Sequence, residues 1–85
     1  MTDREFALRG WKHLTAGTYT AKTLCGIKAL MEQTITELKG PNIEGSGGVV
    51  GTVTNVHMDS GDFLPGIFTS VTIAAGKEAI GVFAA

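Results

Sequence analysis

The stretch Lys22-Thr-Leu-Cys-Gly-Ile-Lys-Ala-Leu-Met-Glu-Gln-Thr-Ile-Thr-Glu-Leu-Lys39 decides the fold, because it supports two incompatible readings. Leu24, Ile27, Met31, Ile35 and Leu38 fall on one helical stripe, and Gly40-Pro41 follows as a stop signal. Against this, Gly26 interrupts the stripe, and Thr34-Ile35-Thr36 is a β-branched triplet suited to a pleated strand. Ile27, Ala29 and Met31 also alternate with Gly26, Lys28 and Leu30. Periodicity alone favours a helix at residues 23–39 and hence an α+β domain.

Beyond Gly40 the pattern is β. Pro41-Asn42 and Gly45-Ser46-Gly47-Gly48 make a turn-rich connection, and Val49 to Val56 is strand material. Asp59-Ser60-Gly61-Asp62 predicts a turn, and Pro65-Gly66 another. Ile67, Thr69, Val71 and Ile73 share one face of a strand, with Phe68, Ser70 and Thr72 on the other. Ala74-Ala75-Gly76-Lys77 reads as a hairpin connection with Gly76 at positive φ, and Ala79 to Phe83 returns as the last strand.

On the N-terminal side, Thr2-Asp3-Arg4-Glu5-Phe6-Ala7-Leu8-Arg9 has a helix start: Thr2 can cap, Glu5 sits three residues later, and the first turn is acidic. Gly10 ends or bends it. Phe6, Leu8, Trp11 and Leu14 then make an apolar arm too short to be a stable helix in water by itself. The arm must dock on its own domain or on another chain.

Composition sets outer limits. At 85 residues and 8.9 kDa the chain is one domain, and a domain of that size buries only somewhat more than about 60% of its unfolded surface. Charged residues are 18% and mean hydropathy is +0.20, too apolar for a disordered chain. The net charge of −1 argues against a general nucleic-acid binder. The longest apolar run, Ala79 to Ala85, is too short to cross a bilayer, and no signal-peptide pattern opens the sequence. Charge is uneven: between Lys39 and Lys77 there is no basic side chain.

Chemistry is sparse. His13 and His57 have no second ligand at i+3 or i+4, and the single cysteine, Cys25, leaves no zinc spacing and no internal disulfide. Cys25 lies in the apolar setting Thr-Leu-Cys-Gly-Ile, where cysteine behaves as a small buried hydrophobe rather than a nucleophile. Gly45-Ser-Gly-Gly-Val-Val-Gly51 lacks the Gly-Lys-Ser/Thr ending of a phosphate loop, and Val50 stands where a dinucleotide fingerprint needs its third glycine. Asp59 and Asp62 offer too few oxygens for calcium, so an Asx-type turn is the expectation. Neither a metal nor a cofactor is expected.

Two segments carry a resemblance: Gly26-Ile-Lys-Ala-Leu-Met-Glu-Gln-Thr-Ile-Thr-Glu-Leu-Lys-Gly40, and Phe63-Leu-Pro-Gly-Ile-Phe-Thr-Ser-Val-Thr-Ile-Ala-Ala-Gly-Lys77 with the trailing Ile80. Their order resembles a family of small virion structural proteins of tailed bacteriophages. In that family an apolar-x-Ala-Leu-Glu-Asp-Thr segment precedes a Gly/Asn-rich loop, a Leu-Pro-x-Gly turn and a Phe-Thr-Ser-Ile-Thr hairpin. This sequence departs from it at Met31-Glu32-Gln33-Thr34, and at Gly81-Val82-Phe83 where an aromatic often closes the last strand. The likeness spans residues 17–83 and implies a mainly β chain in which 24–38 is a strand pair. The expected architecture is a small antiparallel β-sandwich or barrel-like domain over 17–85, preceded by an arm or short helix over 1–16.

The resemblance implies a non-enzymatic capsid decoration or cement subunit, on the capsid surface of a virion assembled in the host cytoplasm. Its implied partners are the major capsid protein, other virion subunits and copies of itself, a trimer being one option, with no direct nucleic-acid or membrane contact. Phe6, Trp11 and Leu14 of the arm, with Ile80, Val82 and Phe83, are the expected partner contacts. Competing expectations are a tail, fibre-base or head-completion component, a small cytosolic binding domain, and an enzyme acting through Cys25 or His57.

Overall fold

A computed structural model describes residues 10–20, 23–45 and 48–84; the helix start read at residues 2–9 lies outside them. Of the described residues, 69% are in strands and none is helical. The strands are β1 (Trp11–Leu14), β2 (Gly17–Tyr19), β3 (Leu24–Ala29), β4 (Gln33–Glu44), β5 (Val50–Met58), β6 (Phe63–Phe68), β7 (Ser70–Ile73) and β8 (Ala79–Phe83). They form two four-stranded sheets, which we call A (order β1-β8-β3-β6) and B (order β2-β7-β4-β5), with every pairing antiparallel. Only β4 and β5 are successive strands of one sheet; each other connection carries the chain across to the opposite sheet. The expected mainly β sandwich is therefore present, and β1 belongs to it, so the described part of the 1–16 arm does not stand apart.

The core lies between the sheets. Leu14, Leu24, Ile27, Ala29, Phe68 and Ala79 of sheet A face Ile35, Leu38, Met58, Val71 and Ile73 of sheet B. Burying a side chain of this kind stabilises by about 1.5–3 kcal/mol, which is how a chain without a disulfide holds two layers together. Gln33 is buried among them, its Nε2 donating to the carbonyls of Met31 (3.2 Å) and Glu78 (2.6 Å). It thereby ties the β3–β4 turn to the entry of β8.

The helix favoured by periodicity is not there; residues 24–29 and 33–44 are strands in different sheets. Two irregularities counterfeit the helical stripe. A register shift between Leu24 and Gly26 sets buried Leu24 and Ile27 three residues apart. In β4 the inward face changes between Ile35 and Leu38, opposite Asn55, a non-glycine residue at φ 55°. A regular strand keeps a period of two, but a bulge, or a local twist that changes which face is buried, shifts the burial pattern by one residue and mimics the spacing of a helix turn.

Two turn readings also change. Pro65-Gly66 is no turn but part of β6. Proline is tolerated there because β6 is an edge strand, paired among the described residues only with β3. Ala74–Lys77 is a turn as expected, closed by Lys77 N donating to Ala74 O (3.2 Å) with Gly76 at φ 75°, yet it is not a hairpin. β7 already has β2 and β4 on its two edges, so β8 passes to sheet A, between β1 and β3. The single alternating strand read over 67–73 is likewise divided: the chain leaves sheet A at Phe68 and enters sheet B at Ser70. At that corner Thr69 N donates to Lys39 O (2.7 Å), and the Ile67 carbonyl oxygen fills the space a Cβ on Gly40 would need.

Candidate interaction surfaces

Directly opposed residues in an antiparallel pair share a face, so the registers of sheet A assign its two faces. Gly81 points inward, because a Cβ there would meet the side chains of Leu24 and Leu14. Val82 and Ile80 consequently point outward. One outer row runs Trp11, Val82, Gly26, Pro65, and the next runs His13, Ile80, Lys28, Phe63. The Phe63 ring lies over Gly26, in the place a side chain would occupy. Val82 is fully buried although it is not part of the cluster between the sheets. Sheet A thus has a second, thin apolar layer on its outside, and Trp11 forms its exposed end at 53% accessibility.

The six expected contact residues separate accordingly. Trp11 is exposed. Ile80 and Phe83 are half-buried, and Phe83 packs against the core with its N–H donated to Gly10 O (3.1 Å). Leu14 (2%) and Val82 (0%) are interior within a single chain. Their apolar character serves this domain's own burial. Phe6 lies outside the described residues.

The fold also builds a surface that the sequence did not announce. Sheets A and B part between β6 and β5, leaving a groove of about 340 Å³. Leu38, Ile43, Val53, Val56, Leu64 and Phe68 line it, with Glu44 at its rim. Beyond it the β4–β5 hairpin runs past the last β4–β7 pair at Lys39 and exposes Val49 (56%) and Val50 (75%). The one clue in the sequence is that β5 carries Val50, Val53 and Val56 rather than a strict alternation.

The chemical candidates sort plainly. Cys25 Sγ points to the Phe83 carbonyl at 3.6 Å, with neither imidazole nor carboxylate as its partner there. The Gly45–Gly51 segment joins two antiparallel strands, not a strand to a helix, and its turn closes through Gly45 N to Val49 O (2.7 Å). The Asp59–Asp62 turn forms as expected: Asp62 N donates to Asp59 O (3.0 Å) and Asp62 Oδ2 accepts from Asp59 N (2.9 Å). His57 Nε2 lies 3.1 Å from Asp59 Oδ1 and 3.9 Å from Glu32 Oε2. Folding brings Glu32 from the β3–β4 turn to a histidine that is distant in sequence, and all three side chains are exposed. His13 pairs with Glu78 at 2.9 Å, also at the surface.

No protein-family model matches the chain, and no curated protein or solved structure is significantly similar to it.

Proposed function

We propose that the chain is a structural subunit of a tailed-phage virion, a decoration or cement protein that binds the outside of the capsid and its own copies. The observation that carries the reading is where the two resembling segments fall. Residues 26–40 supply most of β3 and the first part of β4; residues 63–77 supply β6 and β7. β3 pairs with β6 and β4 with β7, so the likeness lies on the frame of both sheets rather than on scattered surface.

Surface character supports the same reading. A self-sufficient binding domain would bury its one tryptophan; here Trp11 is largely exposed, and an apolar groove opens on the far flank of the sheet. Exposed aromatics and apolar grooves are the features that partner subunits cover. About 800 Å² of buried surface per partner would give a gross apolar gain on the order of 10–20 kcal/mol before the cost of association. Repeated over a lattice, even a small surplus resists internal pressure.

Phage shells carrying the chain should survive heating or chelation that opens shells lacking it; equal survival removes the cement role. Copy number separates the capsid surface from a tail or head-completion position, since a decoration subunit is present in a fixed ratio to the major shell protein.

A further inference from the structure

Three metal-ligating side chains meet on the outer face of sheet B, where β4 begins and β5 ends. Burial alternates there, with Gln33, Ile35 and Met58 inward and Thr34 and His57 outward. Thr34 and His57 are cross-strand partners, and the pair beyond them is Gln33 with Met58. One step further along this register, Glu32 and Asp59 emerge on the same face as His57. Each of the three offers a ligand atom within 4.8 Å of the other two. A single atom, His57 Nε2, faces both carboxylates, at 3.1 Å from Asp59 Oδ1 and 3.9 Å from Glu32 Oε2.

The backbone under these groups is fastened. Gly61 N donates to Ala29 O (2.8 Å) and Ala29 N to Asp62 O (2.9 Å), which ties the β5–β6 turn to the end of β3. Asp62 Oδ2 holds the Asp59 N–H (2.9 Å), and Gln33 Nε2 holds the Met31 carbonyl beside Glu32 (3.2 Å).

Glu32 and Asp59 are like charges at neighbouring cross-strand positions, an arrangement that destabilises a sheet and that a cation between them relieves. No lysine or arginine occurs between Lys39 and Lys77 to supply one from β5 or its turn. One imidazole N–H satisfies one carboxylate, whereas a metal ion engages both carboxylates and the imidazole together. One nitrogen and two oxygens suit Zn²⁺ better than Ca²⁺, which takes about six to eight oxygens. Ligand atoms about 2.1 Å from a tetrahedral Zn²⁺ lie about 3.4 Å apart, and the observed 3.1 and 3.9 Å fall on either side of that spacing.

We infer that Glu32, His57 and Asp59 bind a Zn²⁺ ion, which clips the β3–β4 turn to the end of β5 and leaves its remaining position to water. Such a clip needs no shell and stands apart from the proposed virion role, so the purified, untagged full chain suffices to test it.

Calorimetric titration with zinc chloride should show one ion per chain. The melting temperature should rise with Zn²⁺ concentration, because an ion held only by the folded chain stabilises it by mass action. Glu32→Gln, His57→Gln and Asp59→Asn should each weaken binding by about tenfold or more and abolish the rise in melting temperature. His13→Gln and Cys25→Ala should leave both unchanged. The three ligands are exposed, so their variants should fold, which circular dichroism checks. If Asp59→Asn does not fold, the unaltered chain with Co²⁺ decides: the imidazole proton resonances of His57 should shift and those of His13 should not. No heat and no change in melting at millimolar Zn²⁺ would overturn the site. Binding that survives Glu32→Gln, or that is lost in Cys25→Ala, overturns it equally.

Discussion

Gly76 shows how one residue sets the path of the chain. At φ 75° it turns the chain leaving β7 out of sheet B toward β8, and nothing lies within 4 Å of the place a Cβ would occupy. The requirement is thus conformational, not steric crowding. Gly76→Val should cost about 1–2 kcal/mol in thermal or urea unfolding, because a β-branched residue is strained in the left-handed region. Gly76→Asn should recover part of that loss; equal stability of the valine variant would mean the turn is wrongly placed. The same reasoning explains what was legible at this scale. Glycine in an Ala-Ala-Gly-Lys run announces a positive φ, and two aspartates three residues apart announce a side-chain-closed turn. Turn chemistry, however, states how the backbone bends and not whether the flanking strands pair. The turn at 74–77 was therefore readable, while the hairpin inferred from it was not.

At the scale of the element, the informative case is the β4–β5 hairpin. Ile35 and Val56 pair on one side of Asn55, and Leu38 and Val53 on the other, all turned inward or half-buried. Keeping both pairs apolar-side in requires the inward face to change between them, and Asn55 at φ 55° marks the place. Asparagine is among the few non-glycine residues that tolerate this region. Asn55→Gly should leave the melting temperature nearly unchanged, whereas Asn55→Val should lower stability by about 1–2 kcal/mol. If valine is harmless, the hairpin does not depend on the left-handed residue. This element also explains why periodicity misled. Leu24, Ile27, Ile35 and Leu38 have a helix-like spacing because the register shift beside Cys25 and the change of inward face near Asn55 each break the two-residue burial repeat. The β-branched triplet Thr34-Ile35-Thr36 was the better guide, since it reports on the side chains' own conformational preference and not on their count.

For the whole molecule, the two-layer interior accounts for stability, and the proposed function rests on the outer surface. Leu14 and Val82 look like contact residues in a list of apolar positions, but one fills the space in front of Gly81 and the other lies beneath the outer layer of sheet A. Trp11 has the same apolar character and the opposite fate, because it stands on β1, which among the described residues is an edge strand of sheet A. Edge position is a property of topology, so no residue-by-residue reading reaches it. The groove between β5 and β6 was hidden for the same reason: its lining comes from three strands, β4, β5 and β6, that meet only in the folded chain. The exposed Trp11 and the apolar groove are what the proposed role, a subunit whose surface is finished by other subunits, draws on.

Co-sedimentation of the purified chain with phage heads stripped of it tests that description most directly. Binding should saturate at a fixed ratio to the major shell protein, and Trp11→Ala should weaken it. Heads that pellet without the chain at every concentration tried would contradict the account.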